Sequence, residues 1–187
     1  AEIDLTADAE RVRSADRVVL PGVGAYADCR AGLDAVPGMV EAIHEVAIAN
    51  ARPFLGICVG MQLMASEGRE KAVTKGLGWI PGAVVRIEPE GGLKVPHMGW
   101  NTLTTVGSGA LLEGVPDGSY AYFANSYYAA PTLDAPGALT TYGPTTFRSA
   151  FTLGSLHAVQ FHPEKSQSVG LTILANVRDA ARTAAAA

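Results

Sequence analysis

The stretch Pro53-Phe54-Leu55-Gly56-Ile57-Cys58-Val59-Gly60-Met61-Gln62 constrains this chain more than any other. Phe54 to Ile57 is a short apolar run that reads as a buried strand. Gly-x-Cys-x-Gly follows, and Met61 to Ala65 then reads as a helix. A strand that turns sharply into a helix lifts its middle residue into a strained, exposed position. Glycines two before and two after let neighbouring backbone pass close by. A helix N-terminus aimed at the sulfur would lower the thiol pKa and favour the nucleophilic thiolate. The same pattern also suits a structural cysteine packed in a strand-to-helix turn. Cys58 alone does not decide between them.

The surrounding chain alternates strand and helix. Ala1 to Leu5 reads as a strand, Asp8 to Ala15 as a helix and Arg17 to Leu20 as a buried strand. Pro21-Gly22-Val23-Gly24 reads as a tight turn, Ala25 to Leu33 as a helix, and Met39 to Asn50 as another with Met39, Ile43, Val46 and Ala47 on one face. This alternation predicts an α/β fold whose functional groups collect beyond the carboxyl ends of parallel strands. The turn at Pro21 and the elbow at Cys58 both lie at such ends. After Trp79 the texture changes to short strands between Gly/Pro turns: Ala83–Ile87, Tyr120–Phe123, Leu139–Tyr142, Phe147–Phe151 and Leu156–Phe161. A last helix, Val169 to about Arg182, carries Val169, Ile173, Leu174 and Val177 on one face. One domain over residues 1–183 and an alanine tail over 184–187 account for the whole length of 187 residues.

A formal net charge of −4 and the lack of any concentrated basic stretch argue against a nucleic-acid surface. No apolar run is long enough to cross a bilayer. Two cysteines, Cys29 and Cys58, make neither a disulfide framework nor a metal site. No metal or cofactor is expected, and a cytoplasmic setting with reduced thiols is the simplest account. Cys29 has no flanking glycines and reads as structural.

A cysteine nucleophile needs a base, and the base needs an orienting group. Of the four histidines, His44 reads as a solvated helix residue and His157 as a strand-face residue. His97 lies in the loop-like Val95-Pro96-His97-Met98-Gly99-Trp100-Asn101. His162 lies in Gln160-Phe161-His162-Pro163-Glu164-Lys165-Ser166, where the proline stiffens the backbone and a carboxylate two residues on can turn back to the imidazole. A surface turn with a local His–Glu pair would look the same; the elbow cysteine is what favours the catalytic reading. Oxyanion donors are expected from the Val59 N–H and from Val23 and Gly24 of the glycine turn. A phosphate loop would want Lys-Ser/Thr after those glycines; Ala25-Tyr26 follows instead.

Together the Gly56–Gln62, Pro21–Gly24 and Gln160–Ser166 motifs resemble the class I (triad) glutamine amidotransferases. The Val95–Asn101 stretch and Asn125-Ser126-Tyr127-Tyr128 are similar to the glutaminase subunits of imidazole glycerol phosphate synthase. The resemblance runs through nearly the whole chain. It implies a flavodoxin-like α/β sandwich: a mostly parallel central sheet, helices on both faces and a smaller antiparallel region. It implies Cys58 as nucleophile, His162 as proton shuttle and Glu164 as orienter. Gly22, Gln62, Ser126 and Tyr127 match positions that hold the glutamine substrate. Pro96, His97, Met98, Trp100, Asn101 and Lys165 match the face that meets a (β/α)8-barrel cyclase/synthase subunit in a heterodimer, to which ammonia is delivered for histidine biosynthesis. The family opens with a further strand and helix ahead of the position of Ala1. Without that unit the resemblance predicts an exposed apolar sheet edge. Asn125 stands where the family often has histidine, predicting altered fine positioning there. Other triad glutaminases (pyridoxal phosphate, guanylate or anthranilate pathways) are the alternative within the family. A truncated, non-catalytic partner-binding subunit is the alternative outside it.

Overall fold

The computed structural model describes residues 2–88, 92–131 and 134–180. In chain order the elements are α1 (Ala9–Ser14), β1 (Val18–Leu20), α2 (Tyr26–Asp34), α3 (Met39–His44), β2 (Phe54–Ile57), α4 (Val59–Leu63), β3 (Ala65–Arg69), β4 (Val73–Lys75) and β5 (Ile80–Arg86). Then follow β6 (His97–Thr102), β7 (Thr104–Val106), β8 (Tyr120–Asn125), β9 (Tyr127–Pro131), β10 (Gly137–Tyr142), β11 (Thr145–Leu153), β12 (Leu156–Val159) and α5 (Gln167–Asp179).

The largest sheet has six strands in the order β1-β2-β12-β11-β10-β7. β2 pairs in parallel with β1 on one side and β12 on the other, through Val18↔Phe54 and Leu156↔Phe54. All four residues of β2 and all four of β12 are buried, as strands flanked on both sides should be, and in β12 this includes His157. From β12 onward the pairings are antiparallel. A second sheet, β4-β3-β5-β9, and the hairpin-like pair β6-β8 complete the fold. The core gathers Phe54, Leu55, Met61, Phe123, Phe151, Phe161 and Ile173, all fully buried. β1 closes one edge of the main sheet and is not the buried strand expected: Val19 is half exposed, because an edge strand has a neighbour on one side only.

Several local expectations hold for stated reasons. Asp8 caps α1 by accepting the Glu10 N–H at 2.9 Å. Val12 of that helix packs with Met39, Ala42 and Ile43. On α5, Ile173 and Val177 are buried, and Val169 and Leu174 pack beside them. Other expectations need correction. Residues 2–8 form no strand; Ile3 and Leu5 are 90% and 98% exposed, so alternation there had no neighbour to face. The helix from Met39 widens into a π-helical turn over Glu45–Ala49. The elbow helix begins at Val59 and ends at Leu63, and Ala65 already belongs to β3. His97 lies on a strand, not in a loop. Ala1, residues 181–182 of the expected last helix and the 184–187 tail lie outside the described residues.

The elbow is wedged against β1. A Cβ on Gly60 would lie 1.8 Å from the Leu20 carbonyl oxygen, and one on Gly56 would lie 2.8 Å from the Gly60 oxygen. Both neighbours are backbone and neither can swing aside. Gly60→Ala is therefore expected to cost about 3 kcal/mol or more, as overpacking against main chain does. A drop of Tm read by calorimetry checks it; an unchanged Tm would mean the elbow and β1 can separate freely.

Burial pushes the imidazoles of His97 and His157 down to about 4 from 6.5. A depressed folded value means the unfolded chain binds protons first as pH falls. The stability these neutral rings contribute is complete above pH 6.5 and lost between 6.5 and 4, at most roughly 3 kcal/mol per ring. Denaturant midpoints should fall steeply across that window, and a flat profile would contradict the burial.

Candidate active site

Cys58 directly follows β2, and His162 lies just past the end of the neighbouring parallel strand, β12. The Cys58 N–H donates to the Val159 carbonyl at 2.8 Å, carrying the parallel ladder one residue past β2. Cys58 has φ 53 and ψ −110, a conformation that disfavours any side chain. Its carbonyl accepts the Gln62 N–H at 3.1 Å, locking the turn into α4.

His162 is held by its backbone. Its N–H donates to the Tyr122 carbonyl at 2.9 Å, and its carbonyl accepts the Ser166 hydroxyl at 2.7 Å. Ser166 Oγ in turn accepts the Tyr122 N–H at 3.0 Å, so one buried hydroxyl ties β8 to the turn after β12. Pro163 opens a short 3-10 turn over Pro163–Lys165. That turn brings Glu164 Oε1 to 2.8 Å from His162 Nδ1. The imidazole is nearly buried while the carboxylate is half exposed. Nε2 is left as the ring nitrogen available for proton exchange.

The thiol differs from expectation. Burial pushes Cys58 up to about 11; the Glu164 charge pushes the same way, while hydrogen bonds from Val59 and Gln160 act against it. α4 spans only five residues, and its dipole does not outweigh the loss of water around the sulfur. The resting group is a thiol, and the thiolate requires a proton acceptor beside it.

The expected oxyanion donor is also engaged. The Val59 N–H donates to the Gly22 carbonyl at 3.4 Å. A buried N–H pairs with the nearest acceptor, and here that acceptor belongs to the glycine turn itself. The turn is close because Gly22 has no Cβ: one would lie 2.9 Å from Val59 Cβ. Val23 is 77% exposed, and its carbonyl accepts the Cys29 thiol at 3.3 Å.

Of the expected substrate residues, Gln62 and Tyr127 meet: Gln62 Nε2 donates to the Tyr127 carbonyl at 3.0 Å. Ser126 lies in the bend between β8 and β9, where its carbonyl accepts the Ile87 N–H. Gln160 was quoted in the sequence without a role. It is fully buried, and its Nε2 lies 3.6 Å from Cys58 Sγ. Its place directly after β12, two residues before His162, was the signal for it. Asn125 is buried and donates to the Tyr127 carbonyl at 3.0 Å.

The expected partner face divides by strand alternation. Met98 and Trp100 point outward, 66% and 46% exposed. Pro96 and Lys165 are exposed, and Lys165 Nζ sits 5.6 Å from the Tyr122 ring centroid. His97 is the exception. Its ring is buried between Tyr142 at 3.9 Å and Phe123 at 4.8 Å, so it supports this face from beneath. Asn101 faces inward with it and donates to the Thr141 carbonyl. Among the described residues no cluster of three His, Cys, Asp or Glu side chains is placed to hold a metal ion.

The family model for glutamine amidotransferase class-I matches residues 2–179. The chain belongs to the class I glutamine amidotransferases. More particularly, it is similar to proteins called imidazole glycerol phosphate synthase subunit HisH. One from Brucella suis is 53% identical over 184 residues, covering 94% of this chain and 83% of that protein. One from Mesorhizobium japonicum is 56% identical over 182 residues with the same coverage. Among solved structures, a glutamine amidotransferase superposes with a TM-score of 0.67 at 16% identity, over 92% of this chain and 85% of that one. The glutaminase domain of Trypanosoma brucei CTPS gives 0.60 at 16% identity, over 93% and 76%. At such identities these two speak for the fold alone.

Because the thiol is held protonated, alkylation of Cys58 by iodoacetamide is expected to be slow at pH 7.5. It should rise about tenfold per pH unit toward pH 10. Peptide mass spectrometry separates it from Cys29. Rapid, pH-independent labelling of Cys58 below pH 8 would mean that the thiolate is already formed.

Proposed function

We infer that the chain is the glutaminase subunit of an imidazole glycerol phosphate synthase, acting in histidine biosynthesis. The observation that carries this is a positive-φ elbow cysteine at the end of one parallel strand and a hydrogen-bonded His162–Glu164 pair just past the end of its neighbour, in a chain about half identical to proteins of that name.

His162 Nε2 takes the proton of Cys58, and the thiolate attacks the side-chain amide carbon of glutamine. The developing imidazolium is stabilised by Glu164. As the C–N bond breaks, the proton passes from His162 to the departing nitrogen, and ammonia leaves. Water, deprotonated by the same imidazole, then cleaves the thioester to glutamate and restores the thiol. Gln62, Ser126, Tyr127 and Gly22 hold the substrate. The oxyanion is received by the N–H of Val59 together with Val23 or Gly24. That hole requires the Gly22–Val23 peptide to rotate, which removes the carbonyl from Val59 and turns an N–H toward the same point.

Ammonia is delivered to a cyclase subunit, a (β/α)8-barrel synthase in our reading. It docks on the face formed by Pro96, Met98, Trp100 and Lys165, with His97 and Asn101 beneath. An outward aromatic and methionine pair beside a cation suits such a contact. A histidine-biosynthetic role places the protein in the cytoplasm.

The test is glutamate release from glutamine with the synthase subunit present. Cys58→Ser is expected to lose at least about a thousandfold in kcat, the scale for removing a covalent nucleophile. Wild-type turnover by that variant would sink the assignment.

A further inference from the structure

Four polar groups form a continuous buried chain behind the nucleophile. Asn125 Nδ2 and Gln62 Nε2 both donate to the Tyr127 carbonyl, each at 3.0 Å. Gln62 Nε2 also donates to Gln160 Oε1 at 3.0 Å, and Gln160 Nε2 reaches Cys58 Sγ at 3.6 Å. Gln62, Asn125 and Gln160 are 4%, 5% and 0% exposed, so water does not compete for these bonds.

The polarity of this chain is not free. A backbone carbonyl only accepts. Tyr127 therefore fixes which end of the Gln62 amide faces it: the NH2. The second hydrogen of that NH2 points at Gln160, which must answer with its oxygen. The NH2 of Gln160 is then turned to the sulfur. Reversing either amide would set two donors or two acceptors against one another in a dry interior, a loss of the order that unpaired buried groups incur.

We propose that Gln160 is a catalytic residue for the glutaminase reaction: an N–H donor to the Cys58 sulfur whose orientation is dictated, through Gln62, by the Tyr127 carbonyl. The inference rests on Cys58 being the nucleophile. A donor on the sulfur stabilises the thiolate as the S–H proton moves to His162. It also occupies one lone-pair direction, leaving another for the substrate carbon. The titratable groups that bear on the sulfur are Glu164, in the turn after β12, and Cys29 of α2. Neither can carry positive charge, so beside the Val59 N–H the Gln160 amide is the neutral donor that favours the thiolate.

The test compares Gln160→Glu and Gln160→Met with the wild-type chain in complex with its synthase subunit. Glutamate has the shape of glutamine without the N–H; methionine keeps the length and loses both bonds. Both should lower the iodoacetamide alkylation rate of Cys58 at pH 8.5 about tenfold, the scale of one hydrogen bond to a charged group. Both should lower kcat for glutamine hydrolysis by a similar factor and change KM less, since the Tyr127 carbonyl still holds Gln62. The deficit of Gln160→Glu should narrow at lower pH, where the protonated carboxyl becomes a donor, while that of Gln160→Met should not. A residue that only fills space would not produce that divergence. Wild-type alkylation and kcat in both folded variants would overturn the proposal. If either variant fails to fold, the Gln160 side-chain 15N–1H resonances of the unsubstituted chain decide. They should shift on alkylation of Cys58 and in Cys58→Ala; unchanged resonances overturn it equally. Full glutaminase activity in Cys58→Ser would instead remove the functional reading, while the alkylation results would still report on the Gln160–sulfur contact.

Discussion

The hydrogen bond from the Cys58 N–H to the Val159 carbonyl is the contact on which the site depends. It extends the parallel pairing of β2 and β12 past the end of β2. The backbone has already left the strand geometry there. One strand thereby delivers the sulfur, and the other delivers Gln160 and His162 on its way out of the sheet. Neither set of groups has its own scaffold. Their separation is set by strand spacing, which a parallel ladder holds nearly constant. The glycines at 56 and 60 let the elbow sit tightly enough for this to work, and β1 backs it from the far side.

Much of this was legible in the sequence. Apolar runs marked Val18–Leu20 and Phe54–Ile57 as strands of the parallel sheet, and Leu156–Val159 as a strand, but its parallel pairing with β2 was not legible, because that depends on which strand it meets across the fold. The elbow at Cys58 and the His162–Glu164 contact were legible because backbone stiffness and local reach are short-range properties. The 3-10 turn that seats Glu164 against His162 is one proline away from being written out.

What was not legible depends on long-range packing. The pKa of Cys58 follows from how little water reaches the sulfur, and no local pattern reports that. The Val59 N–H finds the Gly22 carbonyl only because two loops more than thirty positions apart close on each other. Residues 65–69 and 73–75 carry no strand pattern of their own; β3 forms along the edge of β5, and β4 then pairs with β3. His97 read as part of an unusual loop; it opens β6 instead, and strand alternation turns its ring inward while Met98 and Trp100 face out.

One asymmetry in the triad has a wider consequence. His162 is nearly buried while its carboxylate partner is half open to solvent. Water and salt therefore weaken Glu164's hold on the imidazole in the isolated chain. Lys165, the next residue, is exposed beside it and lies over Tyr122. Any surface laid across this rim would lower the local dielectric around the carboxylate and tighten its grip on the ring. A solvent-facing carboxylate makes drying of this rim a way to tighten the His162–Glu164 contact without moving the backbone.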